Sequence, residues 1–237
     1  MDYYDILING ITDELYVSRI VHGKSWIAVE LSDGRYGIAM RHDLESRSRL
    51  FDSLVGLPAR TAANAVCSWN LLEASEGMAV INAFYNTPER MDKLGARCSF
   101  DKSCTHGMMT EGKKIALIGH LSLQPGALDG ASEVYIIERS PKPGDYPDPA
   151  CEYLLRDCDI VIMTASAAVN KTLPRLLELS KSAETIIIGP TTPMCPELKA
   201  LGISRLSGMV VRDKDAFERW TLETPGSPYP YGDVFMI

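Results

Sequence analysis

No apolar run in this chain approaches the ~20 residues that a membrane-spanning helix needs. No block of lysine and arginine occurs either, and the net charge is −7, so the basic face that nucleic-acid binding requires is missing. A Walker-type loop, a G-x-S-x-G elbow and a C-x2-C knuckle are absent too. Nucleotide-hydrolysing, serine-hydrolase and zinc-ribbon chemistries therefore have no anchor. Met1 is followed by neither a basic nor a long apolar segment, so no signal peptide is expected. The expected location is cytoplasmic, with the six cysteines reduced.

What is present is an ordinary globular composition, 46% hydrophobic over 237 residues, enough for one large domain or two small ones. Residues 1–14 read as an amphipathic helix with Tyr4, Ile8, Ile11 and Leu15 on one face. Strand signals follow at Leu15 to Val21, Trp26 to Leu31 and Tyr36 to Met40, and Asp33-Gly34 makes a hairpin turn between the last two. A helical period at Ala62, Ala65, Val66, Trp69 and Leu72 predicts a helix over 59–72, with another over Glu76 to Phe84. Residues 87–113 carry glycines and charges without periodicity and read as a connection.

From Lys114 the rhythm becomes βαβα, with strands at Ile115 to Ile118, Val134 to Ile137, Ile160 to Met163, Thr185 to Ile188 and Met209 to Val211. Asp148 is expected to cap a helix with Pro149 at its first position, and a second helix carries Val169, Leu173, Leu176 and Leu177. A short helix is expected at Glu197 to Leu201 and an irregular tail from Glu223. Strands apolar along their whole length fit a parallel sheet covered on both faces. The fold class is α/β, with an α+β domain over 1–100 and a Rossmann-like domain over 101–237.

Chemistry is expected at the strand ends, because ligands of open α/β sheets bind beyond the carboxyl edge. The first junction, Ile118-Gly119-His120, lacks the G-x-G-x-x-G pattern, so standard NAD binding is disfavoured. His120 is a candidate ligand or acid–base group, or a solvated junction histidine. Glu138 ends the second strand, about twenty residues on, where a Rossmann carboxylate would meet a ribose; it could equally bind a cation or pair with Arg139 or Lys142. After the third strand come Thr164, Ser166, Asn170 and Thr172. A helix needs one N-cap, and four candidates leave a surplus for a ligand. Thr191 lies in a stiff proline loop after the fourth strand. Asn82 could face the cleft from the first domain.

The segment Cys98-x5-Cys104-Thr105-His106 places two thiols and an imidazole close in sequence, acceptable soft donors for a transition metal ion. The spacing matches no standard knuckle, and a fourth ligand would have to come from Cys67, Cys151 or Cys195. An exposed loop with incidental cysteines is the favoured reading of the segment.

The second half closely resembles the heavy-metal chelation family. The matching residues are Val134 to Arg139, Gly144-Asp145, Leu154-Leu155, Asp159 to Thr164, Val169-Asn170-Lys171-Thr172, Gly189 to Pro193 and Ser207-Gly208-Met209. The first half resembles that family's partner domain through Tyr36 to Ala39, Gly56-Leu57-Pro58 and Ile81-Asn82-Ala83. The resemblance implies an enolase-N-terminal-like domain packed on a Rossmann-like domain, with a site between them for a metal or a metal–chelator complex. The chain departs from the family pattern at Ala165, where glycine is common. A lyase or transferase acting on a nucleotide-like or carboxylate substrate in the same cleft is the alternative, and a scaffold with a vestigial cleft is a third reading. Small-molecule or metal ligands are the expected partners, with homo-oligomerisation left open.

Overall fold

A computed structural model describes residues 2–12, 14–98 and 108–237. Helix α1 (Tyr3–Asn9) starts at Asp2, whose side chain accepts from Asp5 N in a capping box. It is shorter than the predicted helix, and its buried face runs through Tyr3, Leu7 and Ile8 rather than from Tyr4. Strands β1 (Val17–His22), β2 (Trp26–Leu31) and β3 (Tyr36–Met40) form an antiparallel sheet in that order. The hairpin falls where Asp33-Gly34 placed it.

The predicted helix over 59–72 is broken. Helix α2 (Ala59–Ala63) passes into a 3-10 turn (Asn64–Cys67), and Trp69 is 66% exposed. Asn70 then caps α3 (Leu71–Tyr85) by accepting from Glu73 N. All fifteen residues of α3 are buried, because it packs against β2 and β3 and also meets the Rossmann-like half. Its small residues permit this. A Cβ on Gly37 of β3 would sit 2.0 Å from Ala83 N, so only glycine lets strand and helix approach this closely. The two buried carboxylates of α3 are satisfied. Glu73 accepts from Leu50 N and Phe51 N at 2.8 and 2.9 Å, and Glu76 pairs with Arg49 and His22.

Part of the predicted connection is regular: α4 (Pro88–Leu94) and the short β4 (Arg97–Cys98). The remaining strands are β5 (Lys114–Ile118), β6 (Glu133–Glu138), β7 (Tyr146–Pro147), β8 (Ile160–Thr164), β9 (Glu184–Ile188), β10 (Ile203–Val211) and β11 (Gly232–Met236). Among the described residues they form an eight-stranded sheet with β4, in the order β4-β11-β10-β9-β8-β5-β6-β7. The run from β7 to β10 is parallel. Read from β7, the chain order is 3-2-1-4-5-6, the doubly wound arrangement, with its switch point between β5 and β8.

Helices α5 (Cys151–Leu154), α6 (Ser166–Val169), α7 (Leu173–Leu179) and α8 (Lys214–Glu223) complete the fold. Asp148 does not cap a helix but opens a 3-10 turn, Asp148–Ala150, ahead of α5. The tail beyond Glu223 is not wholly irregular: β11 pairs antiparallel with β10 along Ser207–Val211. Its five residues were hidden behind a Pro- and Tyr-rich approach, and pairing with the sheet, not local propensity, makes them a strand. Among the described residues no helix is long and apolar enough to cross a membrane.

Candidate functional site

The carboxyl ends of β5, β6 and β8 open onto a cleft of about 650 Å³. Met40 and His42, at the end of β3, line it from the small-sheet side. The cleft thus sits at the switch point, where two βα crossovers leave in opposite directions and no helix fills the space.

His120 follows β5, Glu138 ends β6, and the two meet. Glu138 Oε1 accepts from His120 N at 2.6 Å and lies 3.3 Å from its ring Nδ1, while Oε2 accepts from Arg139 N at 3.0 Å. The other ring nitrogen, Nε2, meets Asp145 Oδ2 at 2.7 Å. That same oxygen accepts from Lys142 N at 2.7 Å. The Lys142 N–H and the His120 ring hold the Asp145 carboxyl below the usual aspartate range. Two carboxylates therefore fix one imidazole. Asp145 was not among the expected site residues, although Gly144-Asp145 was in the resembling stretch.

Beyond β8, Thr164 Oγ1 and Ser166 Oγ share a hydrogen bond at 2.9 Å. Asn170 Oδ1 accepts from Thr172 Oγ1 at 2.7 Å and from Thr172 N at 3.2 Å. All four residues line the cleft. Lys171 between them takes φ +71°, a left-handed conformation costly for a residue with a Cβ. It turns the side chain toward the first half, where Nζ donates to Val66 O and lies 5.4 Å from the centre of the Tyr4 ring. Burial pulls its pKa down to about 8. Tyr4 OH closes the same corner by donating to Ala168 O at 2.7 Å.

Asn82 and Thr191 are placed elsewhere. Both are buried outside the cleft lining and tie the halves together: Asn82 Nδ2 donates to Ile38 O and Thr191 O, and Thr191 Oγ1 accepts from Met40 N. Asn86 adds bonds from Nδ2 to Thr192 O and Met209 O, and accepts from Met194 N. The stiff loop after β9 is thus a docking segment for α3 through its backbone groups, while Thr192 Oγ1 is buried without a partner. A helix asparagine and a proline-loop threonine carry no local sign of which surface they will face.

Of the expected metal loop, Cys104 and His106 lie outside the described residues. Cys98 is exposed on β4, four strands from β8, which at strand spacing is about 19 Å. The proposed fourth ligands fare no better as a set: Cys67 is exposed, while Cys151 and Cys195 are buried, their thiols pushed up to about 11 and about 12 by burial. Among the described residues no group of three or more His, Cys, Asp or Glu side chains is arranged to hold a metal ion. The donors nearest to such a group, His120, Glu138 and Asp145, are spent on one another and on backbone N–H groups.

His42 was not foreseen. Burial, with Arg139 nearby, lowers its pKa, and its ring Nε2 is buried without a partner. The only sequence signal was a histidine just past a strand end. The cleft's charges balance, with Arg139, Lys171 and Arg175 set against Glu138, Asp148 and Glu152. The rim cations are already engaged, Arg139 by Asp148 at 3.2 Å and Arg175 by Glu152 at 2.6 Å.

Two family models match the chain, over residues 4–85 and 106–231, and both are described as "Putative heavy-metal chelation". A protein of unknown function from the DUF364 family of Desulfitobacterium hafniense DCB-2 superposes with a TM-score of 0.87 at 38% identity, covering 99% of this chain and 96% of its own. Its counterpart from Pyrococcus horikoshii gives a TM-score of 0.79 at 24% identity over 99% and 98%, which shows the shared fold. No curated protein matches.

Proposed function

The chain belongs to the DUF364 family, and from that premise we propose that its cleft binds a small polar organic ligand of the metal-chelator class. We take the chain as two domains, 1–100 and 101–237, with the cleft between them. One observation carries the reading: polar groups from three strand ends at the switch point converge on a 650 Å³ space walled on the other side by Met40 and His42. The volume suits an organic molecule. The balanced charge favours a ligand with little net charge. Leu121 to Ala131, after β5, forms turns and no helix, so this junction offers no helix N-terminus to a pyrophosphate.

In this reading the hydroxyls of Thr164 and Ser166 and the amide of Asn170 contact the ligand, with Thr172 orienting Asn170. His120 faces the ligand in a pose set by Glu138 and Asp145. Calorimetric titration with a set of chelators, each alone and loaded with copper or nickel, tests the reading. Glu138→Ala and Asn170→Ala should each weaken binding about tenfold, roughly the 1.4 kcal/mol of one lost hydrogen bond. Unchanged affinity in both variants would remove the ligand from this cleft.

A second reading has one observation in its favour. An imidazole held by a carboxylate at 2.7 Å on Nε2, with Nδ1 at 3.3 Å from a second, is an oriented ring that serves as general base once Nδ1 is released from Glu138. Turnover of a carboxylate substrate that vanishes in His120→Gln, with binding retained, would select an enzyme; binding without turnover selects the chelator reading.

A further inference from the structure

A second hollow, of about 630 Å³, opens at the opposite edge of the large sheet from the cleft. Ser204 and Arg205 lie there near the start of β10, Met236 ends the antiparallel β11, Arg97 stands on β4, and Lys199 comes from the 3-10 turn Pro196–Leu201. Three elements far apart in the chain thus bring three cations to one hollow. No Asp or Glu side chain lines it, whereas the cleft sets Glu138, Asp148 and Glu152 against its cations. Arg205 is held by Glu184 at 2.9 Å. The side chains of Arg97 and Lys199 have no hydrogen bond or ion pair among the described residues. The chain has 31 Asp and Glu against 24 Lys and Arg, so a shortage of carboxylates does not explain why these two are unmatched.

We infer that this hollow is a binding site for a phosphate monoester bearing a small organic group. The inference stands apart from the reading of the cleft. Two unmatched cations with a third beside them call for a ligand of about two negative charges, which a phosphate monoester carries near neutral pH. Arg97 supplies a planar fork suited to two phosphate oxygens, and Lys199 a point charge. Ser204 Oγ accepts from Thr185 N at 3.3 Å, so its own hydroxyl hydrogen remains to donate to a further oxygen. The organic group follows from the rest of the lining, where Leu94, Pro196 and Met236 are apolar. Ile237 completes that wall and is fixed there, its N and O bonded to Leu206 O and N at 3.0 Å. The space exceeds what a bare phosphate fills and accommodates an ester. The negative net charge of the chain does not oppose binding, because charges beyond the ~8 Å Debye length are largely screened.

The probes are phenyl phosphate, inorganic phosphate and phenyl sulfate, each titrated calorimetrically into the full chain at low salt. Two or three charge-assisted contacts put the affinity for phenyl phosphate at about a millimolar or tighter. Inorganic phosphate lacks the ring and phenyl sulfate carries one charge, so each should bind at least about threefold more weakly. Arg97→Gln and Lys199→Gln should each weaken phenyl phosphate about 3–10-fold, and Lys199→Glu should abolish its binding. Both side chains are exposed, so the urea midpoints of these variants should stay at the wild-type value, which separates lost binding from lost folding. Arg139→Gln in the cleft and Arg219→Gln, exposed on α8 beyond the other end of β10, should leave the affinity unchanged. No saturation by about 10 mM would overturn the inference. So would an affinity unmoved by Arg97→Gln and Lys199→Gln. A loss confined to Arg139→Gln would place the phosphate in the cleft instead, and an equal loss in Arg219→Gln would reduce the effect to general charge attraction; either result overturns the site. Inorganic phosphate that binds as tightly as phenyl phosphate would overturn the assignment to an ester.

Discussion

Asn86 offers a test of how the two halves are held together. Its side chain is buried and makes three hydrogen bonds across the junction, to Thr192 O at 2.9 Å, to Met209 O at 3.2 Å and from Met194 N at 2.9 Å. Asn86→Ala deletes all three and leaves a buried N–H and two carbonyls short of a partner. At about 1–3 kcal/mol per orphaned group, partly offset by relaxation, the loss should be about 3–5 kcal/mol. That is a large fraction of the ~5–15 kcal/mol by which domains are stable. Urea unfolding under reducing conditions, followed by tryptophan fluorescence, should show the midpoint falling by about 1–2.5 M for m near 2–3 kcal/mol/M. Asn64→Ala is the control: Asn64 is exposed and its amide serves only the carbonyls of Arg60 and Thr61, so about 0.5 kcal/mol is expected. A loss below about 1 kcal/mol for Asn86→Ala would refute the view that these asparagines clamp the halves. A transition that splits in two would support it further, because the halves would then unfold separately.

Lys171 should leave a pH signature. Its amine titrates near pH 8, below the ordinary lysine value, so the folded protein loses that proton while the unfolded chain still holds it. The cost of burying the charge is fully present below about pH 8 and is relieved as pH rises toward the ordinary value. Wild type should therefore gain about 1–2 kcal/mol over Lys171→Met across that window, a figure discounted for partial solvent screening; parallel stability curves would exclude it. Gly37→Ala drives a methyl into Ala83 N at 2.0 Å and should cost about 3 kcal/mol or more, read as a fall in Tm or in soluble yield. Unchanged Tm would show that β3 and α3 separate freely. The Asp145 carboxyl is held below the usual range, so its grip on His120 should persist as pH falls through that range and then be lost. Ring resonances of His120, compared with those in Asp145→Asn, report the grip; identical titrations would deny the contact.

Local patterns carried much of the fold. Of the parallel strands from Lys114 onward, β5, β6, β8 and β9 were visible as apolar runs bounded by turn signals, β10 was read only at its end and β7 was not read; β2 and β3 were legible as apolar runs joined by Asp-Gly. Where reading failed, tertiary packing had overridden the local period. The stretch 59–72 has helical spacing, yet Asn70 is spent capping α3, whose fifteen buried residues lie between the two halves. β11 is five residues that become a strand by pairing with β10.

The candidate site divides the same way. His120, Glu138, Thr164, Ser166, Asn170 and Thr172 were legible because strand ends of a doubly wound sheet are its functional rim, and position along the chain shows where a strand ends. Asp145 and His42 were not, since one reaches the His120 ring and the other the cleft wall from a segment whose packing no local signal encodes. Asn82 and Thr191 looked alike in kind to the rim residues, and only the fold turned them inward to hold one half against the other. The sequence by itself determined most of the strands, the rim and the lack of a G-x-G-x-x-G loop, because these depend on side-chain period and backbone freedom over a few residues. Which polar groups meet and which are satisfied depended on contacts between residues tens of positions apart, and only the tertiary structure decided them.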